Sequence, residues 1–267
     1  MSSWFDVTRR CCWRRLSQDT RGPSRACAGI GDDGFVGCGT VPRVTRFDAV
    51  LFDWMLTLAH YPGPDDHVAE ALSRLGRPDA AEEVQAIVVA IQEAKTLPEV
   101  QQAMTIEDTS AEAHYRSEHL LYQRAGIDRA LADEMYSLLG QAEFHPCYPD
   151  AREVLERLHQ SGVAIGVVSD IHVDLRNHAR QFRFEQFIGA WALSYELGIQ
   201  KPDLRIFNAA LETLGADPTR TLMVGDRVTR DGAAAELGVT CLILPHPDSR
   251  GERGLDQVLD LVGVSED

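Results

Sequence analysis

Short apolar runs alternate with helical periods through the second half of the chain, and this alternation constrains its architecture more than any other feature. The runs are "VAIGVVSD", "GAWALS", "TLMVGD" and "TCLIL". Between them lie "DAREVLERLHQSG", "VDLRNHARQF", "PDLRIFNAALETLG" and "TRDGAAAELG", which carry apolar residues at helical spacing. An earlier run, "FDAVLFD" at residues 47–53, reads as one more buried strand with a polar stop. The pattern predicts an α/β fold with a parallel sheet wrapped by helices through right-handed crossovers. Asp150 is expected to cap the first of these helices, and Gly162 to close it.

The first strand is cut off from the others by a block that contains only helical periods. "DDHVAEALSRLG" closes on Gly76, "DAAEEVQAIVVAIQEAK" follows, "SAEAHYRSEHLLYQRAG" closes on Gly126, and "IDRALADEMYSLLG" closes on Gly140. Each closing glycine suits a left-handed C-cap. The expected organisation is an α/β core from residues 46–62 and 146–267, a helical domain inserted at 63–145, and an N-terminal extension, 1–45, read as disordered.

Charge separates the extension from the rest. Residues 1–46 hold eight arginines against Asp6, Asp19, Asp32 and Asp33, or +4, which leaves −19 of the total −15 for the remainder. So acidic a body repels phosphate backbones and excludes a nucleic-acid partner. No run approaches the roughly 20 apolar residues of a membrane span, so no membrane partner is expected. Four of the six cysteines (Cys11, Cys12, Cys27, Cys38) lie in the extension, leaving Cys147 and Cys241 for the body. That is not a disulfide framework, and it points to a reducing, cytoplasmic setting. "RRCCWRR" lacks the apolar region that an export signal needs after its arginines, and no paired CxxC marks a zinc site. The expected assembly is a monomer or homodimer.

In open α/β sheets ligands bind beyond the carboxyl ends of the strands. The polar residues there are Asp53, the Ser169–Asp170 pair and the Gly225–Asp226 pair, with Lys201 before the helix that precedes "TLMV". Asp53 and Asp226, joined by Asp231 directly or through water, supply the oxygen donors that Mg²⁺ prefers. Asp53 could then approach a phosphate as nucleophile, while Ser169 and Lys201 meet its oxygens. Thr57 and Asp170 are read with them as substrate-binding residues. Alone, each has a plainer explanation: a turn, a cap, a solvated lysine. Their order on alternating strands is what makes them a set.

"DAVLFDWMLTL", "VVSD", "QKPD" and "GDRVTRD" resemble the four motifs of the haloacid dehalogenase superfamily over about residues 46 to 262. The resemblance implies a Rossmann-like core, a helical cap of the C1 type inserted after the first strand, and an aspartyl-phosphate intermediate. By position it makes Asp53 the nucleophile and a metal ligand, Ser169 the phosphate binder, Lys201 the charge stabiliser, and Asp226 and Asp231 the remaining Mg²⁺ site. It adds the backbone carbonyl of Met55 as a further ligand. The substrate so implied is a small phosphorylated metabolite.

One departure changes the chemistry. Phosphatases of the family read DxDGT, whereas this chain reads Asp53-Trp54-Met55-Leu56-Thr57. The second Asp is the proton donor to the leaving group, and a thioether transfers no proton. Leu56 in place of glycine restricts the turn. The alternatives left open are a phosphohydrolase that needs no proton at that position or draws it from the cap or His60; a carbon–halogen or carbon–phosphorus hydrolase, the latter using Lys95 as an imine-forming amine; and a catalytically silent binding module. Within the cap, His114, Tyr115, Arg116 and His119 are the side chains expected to reach toward a leaving group or to lie on a solvated face.

Overall fold

The computed structural model describes residues 45–247 and 251–264. The reading of residues 1–45 as disordered, and the four cysteines there, therefore lie almost wholly outside the described residues. The described residues all belong to one compact unit.

Five parallel strands, β1 (Ala49–Phe52), β2 (Ala164–Ser169), β3 (Ala190–Leu193), β4 (Thr221–Gly225) and β5 (Thr240–Ile243), form a sheet in the order β3-β2-β1-β4-β5. β1 is buried along its whole length because helices cover both faces. Successive side chains therefore enter opposite layers. Val50 and Phe52 pack with Leu155, Leu158 and Val258, from helices α6 (Ala151–Gln160) and α10 (Asp256–Val262). Leu51 packs with Met223 of β4 and with Phe207 and Leu211 of helix α9 (Leu204–Leu214). Gly166 on β2 faces Leu51, and a Cβ there would come within 2.8 Å of the leucine Cδ2, so any larger residue would force that side chain to move.

Between β1 and β2 the chain runs through α1 (Pro64–Arg74), α2 (Ala81–Ala94), α3 (Pro98–Met104), α4 (Ala111–Arg124) and α5 (Arg129–Leu139), with a 3₁₀ turn at Glu107–Thr109. These helices close around an apolar cluster of their own, including Val68, Leu72, Val88, Leu121, Met135 and Leu138. In α2 the buried residues are Val84, Val88, Ile91 and Ala94, one stripe at helical spacing. The chain leaves and re-enters the sheet layer side by side: His60 donates its N–H to the Pro146 carbonyl at 2.8 Å and Tyr148 to that of Leu58 at 2.9 Å.

Several local expectations are corrected. Gly76 and Gly126 are left-handed, at φ 64° and 74°, but Gly140 sits at φ −92° and is not. Asp150 makes no side-chain cap to α6. Its carboxylate accepts the backbone N–H groups of Arg253, Gly254 and Leu255, tying the start of α6 to the segment leading into α10. "TRDGAAAELG" forms a 3₁₀ segment, Asp231–Leu237, rather than an α-helix. α9 begins after Lys201–Pro202, where Asp203 accepts the Arg205 N–H as its cap. α3, which opens on Pro98 at a position that needs no N–H donor, was not anticipated.

Candidate active site

The strand order reverses direction about β1: the chain moves outward through β2 and β3, then returns to the other side of β1 for β4. A crevice opens at the carboxyl end of such a switch point. Asp53 leaves the tip of β1, with its N–H donated to the Val224 carbonyl of β4 at 2.9 Å, and Asp226 leaves the tip of β4. The carboxylates of Asp53, Asp226 and Asp231 thus converge, with one oxygen from each within 4.8 Å of the others.

Lys201 is the centre of this group. Its ammonium is 2.6 Å from Asp53 Oδ1, 2.6 Å from Asp231 Oδ1 and 3.2 Å from the Val168 carbonyl, and the residue is only 3% exposed. Burial alone would pull the ammonium pKa down, but the carboxylates of Asp53, Asp231 and Asp170 outweigh it and hold the pKa above its ordinary value. Asp53 responds oppositely. Burial pushes its carboxyl up to about 7; the Lys201 ammonium opposes that shift, and the Asp231 and Asp226 carboxylates add to it. Three carboxylates face one ammonium here, so the cluster is short of positive charge. An all-oxygen donor set with a charge deficit fits a hard divalent cation such as Mg²⁺.

Gly225 explains the "GD" of the fourth motif. A Cβ at that position would meet the Asp231 carboxyl carbon at 2.3 Å, so only glycine lets Asp231 fold back against the strand tip. There Asp231 Oδ2 accepts the N–H groups of Asp226 and Arg227 at 3.1 and 2.9 Å. Asp231 is therefore a brace for the β4 loop as well as a candidate ligand.

The remaining expected residues fall around this centre. Thr57 is fully buried, with its hydroxyl 3.5 Å from Asp53 Oδ2, and Ser169 is buried at the end of β2. Asp170 is placed differently from the substrate-binding role read for it. One oxygen accepts the Lys201 N–H at 2.7 Å and the other meets the Arg230 guanidinium at 2.5 Å. It braces the lysine loop, and as an anion it would repel a phosphate. Met55 is half-buried and packs against the main core, so no proton donor stands there. Leu56 adopts φ 59°, the left-handed conformation that glycine takes without strain. Its carbonyl is held by Arg253 Nε at 2.7 Å.

Trp54 anchors the loop from below, fully buried against Phe184 and Trp191 at ring separations of 5.8 and 6.4 Å. From the helical block, Tyr115, Arg116 and His119 line a surface hollow with Arg129, and Arg129 donates to the Tyr115 hydroxyl at 2.6 Å. His114 instead faces the β2 loop and stacks on His172. Lys95 is exposed at the end of α2, without the desolvation that an imine-forming lysine needs. Residues missed by sequence reasoning are Asp108, Arg230 and His172. Arg230 Nη1 lies 3.9 Å from Asp108 and 2.5 Å from Asp170, and the Asp108 N–H reaches the Gln200 side chain at 3.2 Å. The only available sequence signals were that Gln200 precedes Lys201 and Arg230 precedes Asp231.

The model of the haloacid dehalogenase-like hydrolases matches residues 47–238. The chain belongs to this family. Among curated proteins it is similar to a glyceraldehyde 3-phosphate phosphatase of Methanothermobacter thermautotrophicus, 28% identical over 40% of this chain and 48% of that one. It is also similar to a phosphoserine phosphatase of Thermus thermophilus, 32% identical over 35% of this chain and 38% of that one. The chain thus spans about half the length, or less, of the curated relatives it matches. A 2-haloacid dehalogenase of Pseudomonas syringae pv. Tomato DC3000 has the same fold, with a TM-score of 0.56 at 21% identity over 81% of this chain and 98% of that one. The five-stranded parallel sheet is accordingly the Rossmann-like core of this family, and no described helix is long and apolar enough to cross a membrane.

Proposed function

We propose that this hydrolase is a cytoplasmic, Mg²⁺-dependent phosphatase acting on a small phosphorylated metabolite through Asp53. The observation that carries the reading is the meeting of Asp53, Asp226 and Asp231 within 4.8 Å around the buried Lys201 ammonium. Asp53 and Asp226, with the Met55 carbonyl and Asp231, would hold Mg²⁺, which supplies charge neutralisation for the incoming phosphate. Lys201 occupies Oδ1 of Asp53, leaving Oδ2 to attack phosphorus while the ester P–O bond breaks. Thr57 and Ser169 offer hydroxyl donors to the phosphoryl oxygens. The departing alkoxide takes up a proton from solvent. Water then attacks phosphorus of the acyl phosphate, the bond to Asp53 breaks to restore the carboxylate, and that water's proton goes to solvent. Helices α1–α5 serve as the cap that covers the site and selects the leaving group. The phosphatases among the relatives support the substrate class, and the free thiols of Cys147 and Cys241 suit a reducing compartment.

Phosphate release from aryl and acyl phosphates should require Mg²⁺, stop with EDTA, and fall at least about 10³-fold in Asp53→Asn. Absence of turnover across a broad panel of phosphate esters with Mg²⁺ present refutes the reading. Met55 favours a second one, since a halide leaves without a proton. Metal-independent halide release from 2-haloacids would establish it in place of the first.

A further inference from the structure

A second cluster of ligand-type side chains lies where the helical block meets the β2 loop. Asp108 comes from the 3₁₀ turn Glu107–Thr109, His114 from the first turn of α4, and His172 from the loop two residues beyond Asp170. One ring nitrogen of each imidazole and one oxygen of Asp108 all lie within 4.8 Å of one another. The imidazoles stack face to face with centroids 3.6 Å apart and planes at 9°, so the rings must swing apart for their in-plane nitrogen lone pairs to converge on one ion. Asp108 Oδ1 is 3.8 Å from His114 Nε2, beyond hydrogen-bond reach.

Three features set this cluster apart from packed core histidines. His114 Nδ1 is buried without a hydrogen-bond partner, as are ring nitrogens of His145 and His178, so what marks this cluster is the convergence of two imidazoles and a carboxylate. Both imidazoles are 8% exposed, so an ion held between them would be largely shielded from water. The surroundings are also rich in carboxyl groups. Asp108 and Glu107 are neighbours, Asp170 lies close by, and Arg230, which faces them, is engaged by Asp170 at 2.5 Å while reaching Asp108 only at 3.9 Å.

We propose that Asp108, His114 and His172 form a binding site for a borderline divalent transition-metal ion of the Zn²⁺ class, separate from the carboxylate cluster that suits Mg²⁺. Two imidazole nitrogens and one carboxylate oxygen are the donors Zn²⁺ accepts, whereas Mg²⁺ favours oxygen alone. Around a tetrahedral Zn²⁺, neighbouring donors stand about 3.4 Å apart, so the cluster need contract by no more than about 1.5 Å, within reach of side-chain rotation. The fourth position stays open to water or an exogenous ligand. Asp108 and His114 belong to the helical block, and His172 to the loop that carries Asp170. A bound ion would therefore fasten that block to the loop bracing Lys201.

The test uses the full chain, stripped of metal, with Co²⁺ as the probe under saturating Mg²⁺. Nitrogen-ligated, low-coordinate Co²⁺ absorbs visibly, while octahedral oxygen-ligated Co²⁺ barely does. One equivalent of Co²⁺ should give a visible band that Zn²⁺ displaces and that persists in Asp226→Asn. Affinity should drop at least about 10-fold in Asp108→Asn, and the band should vanish in His172→Gln. Zn²⁺ should also raise the Tm of the unmodified protein, a readout that does not depend on any variant folding. No visible band and no Zn²⁺-induced Tm shift overturns the site. So does a band that survives His172→Gln, disappears in Asp226→Asn, or is removed by alkylating the cysteine thiols.

Discussion

The strand tips and the seam between the helical block and the β2 loop lie on either side of Asp170, yet they treat charge in opposite ways. At the tips, burial is matched by pairing: Lys201 sits 2.6 Å from both Asp53 and Asp231, and backbone N–H groups take the remaining Asp231 oxygen. In the seam, burial is met by neutralisation. His114, His145 and His172 are held toward the uncharged form by burial. A paired site is rigid and depends on each partner; a neutralised one tolerates loss of a group but responds to protons. Substitutions should separate the two behaviours.

The largest effect beyond loss of the nucleophile is expected at Lys201. Lys201→Met leaves the Asp53 and Asp231 carboxylates buried without their counter-charge, at a cost of about 3–5 kcal/mol in unfolding free energy measured with EDTA present. Added Mg²⁺ should recover part of that loss. An equal cost with and without Mg²⁺ would mean that the ammonium, not a divalent ion, is the sole compensation for these carboxylates.

Next is Met55→Asp, which places a proton donor two residues beyond the nucleophile. Turnover of phosphate esters with poor leaving groups should rise about 10–100-fold, and that of p-nitrophenyl phosphate much less. Equal gains on both would show that leaving-group protonation is not what Met55 forfeits.

The seam is tested by acid. His145 is 2% exposed, and burial, reinforced by neighbouring histidines, lowers its pKa to about 4. The unfolded chain then binds more protons than the folded one between about pH 6.5 and 4, so stability is intact above 6.5 and falls as pH drops through that window. His145→Phe removes one titrating group and should recover roughly 2 kcal/mol of the acid loss, seen as a shallower fall in denaturation midpoint. An unchanged slope assigns the acid response to other groups.

The same contrast explains what could be read in advance. Asp53, Ser169, Asp226 and Asp231 lie at or shortly after strand ends, whose places a parallel sheet of known connectivity fixes; Lys201, separated from β3 by a short helix, owes its place to the start of α9. Asp108 has no such address, and His172, three residues beyond β2, has one that its partners in the helical block lack. Their meeting depends on how α1–α5 dock, through apolar contacts whose register no local pattern records. Asp150 shows a similar limit: a residue with every local mark of a helix cap is claimed by backbone N–H groups more than a hundred positions away. Gly140 shows it in miniature, since a terminal glycine permits a left-handed turn without requiring one.

The smallest effect concerns the loop that carries Asp53. Leu56 holds φ 59° where an L side chain crowds the following carbonyl, a conformation costing roughly 1–2 kcal/mol for residues other than glycine. Arg253 and the Ala59 carbonyl, which accepts the Leu56 N–H at 2.6 Å, pin the backbone there regardless. Leu56→Gly and Leu56→Ala both remove the side chain, so their difference isolates the backbone. Gly should be the more stable by about 1 kcal/mol, read from unfolding midpoints. Were Ala equal or better, the left-handed turn would not be holding strain, and the strand-tip loop would be more adaptable than its tightly paired charges imply. Combining Leu56→Gly with Met55→Asp then asks whether that strain also limits where a new carboxyl can reach. A larger turnover gain in the double variant than in Met55→Asp alone would show that it does.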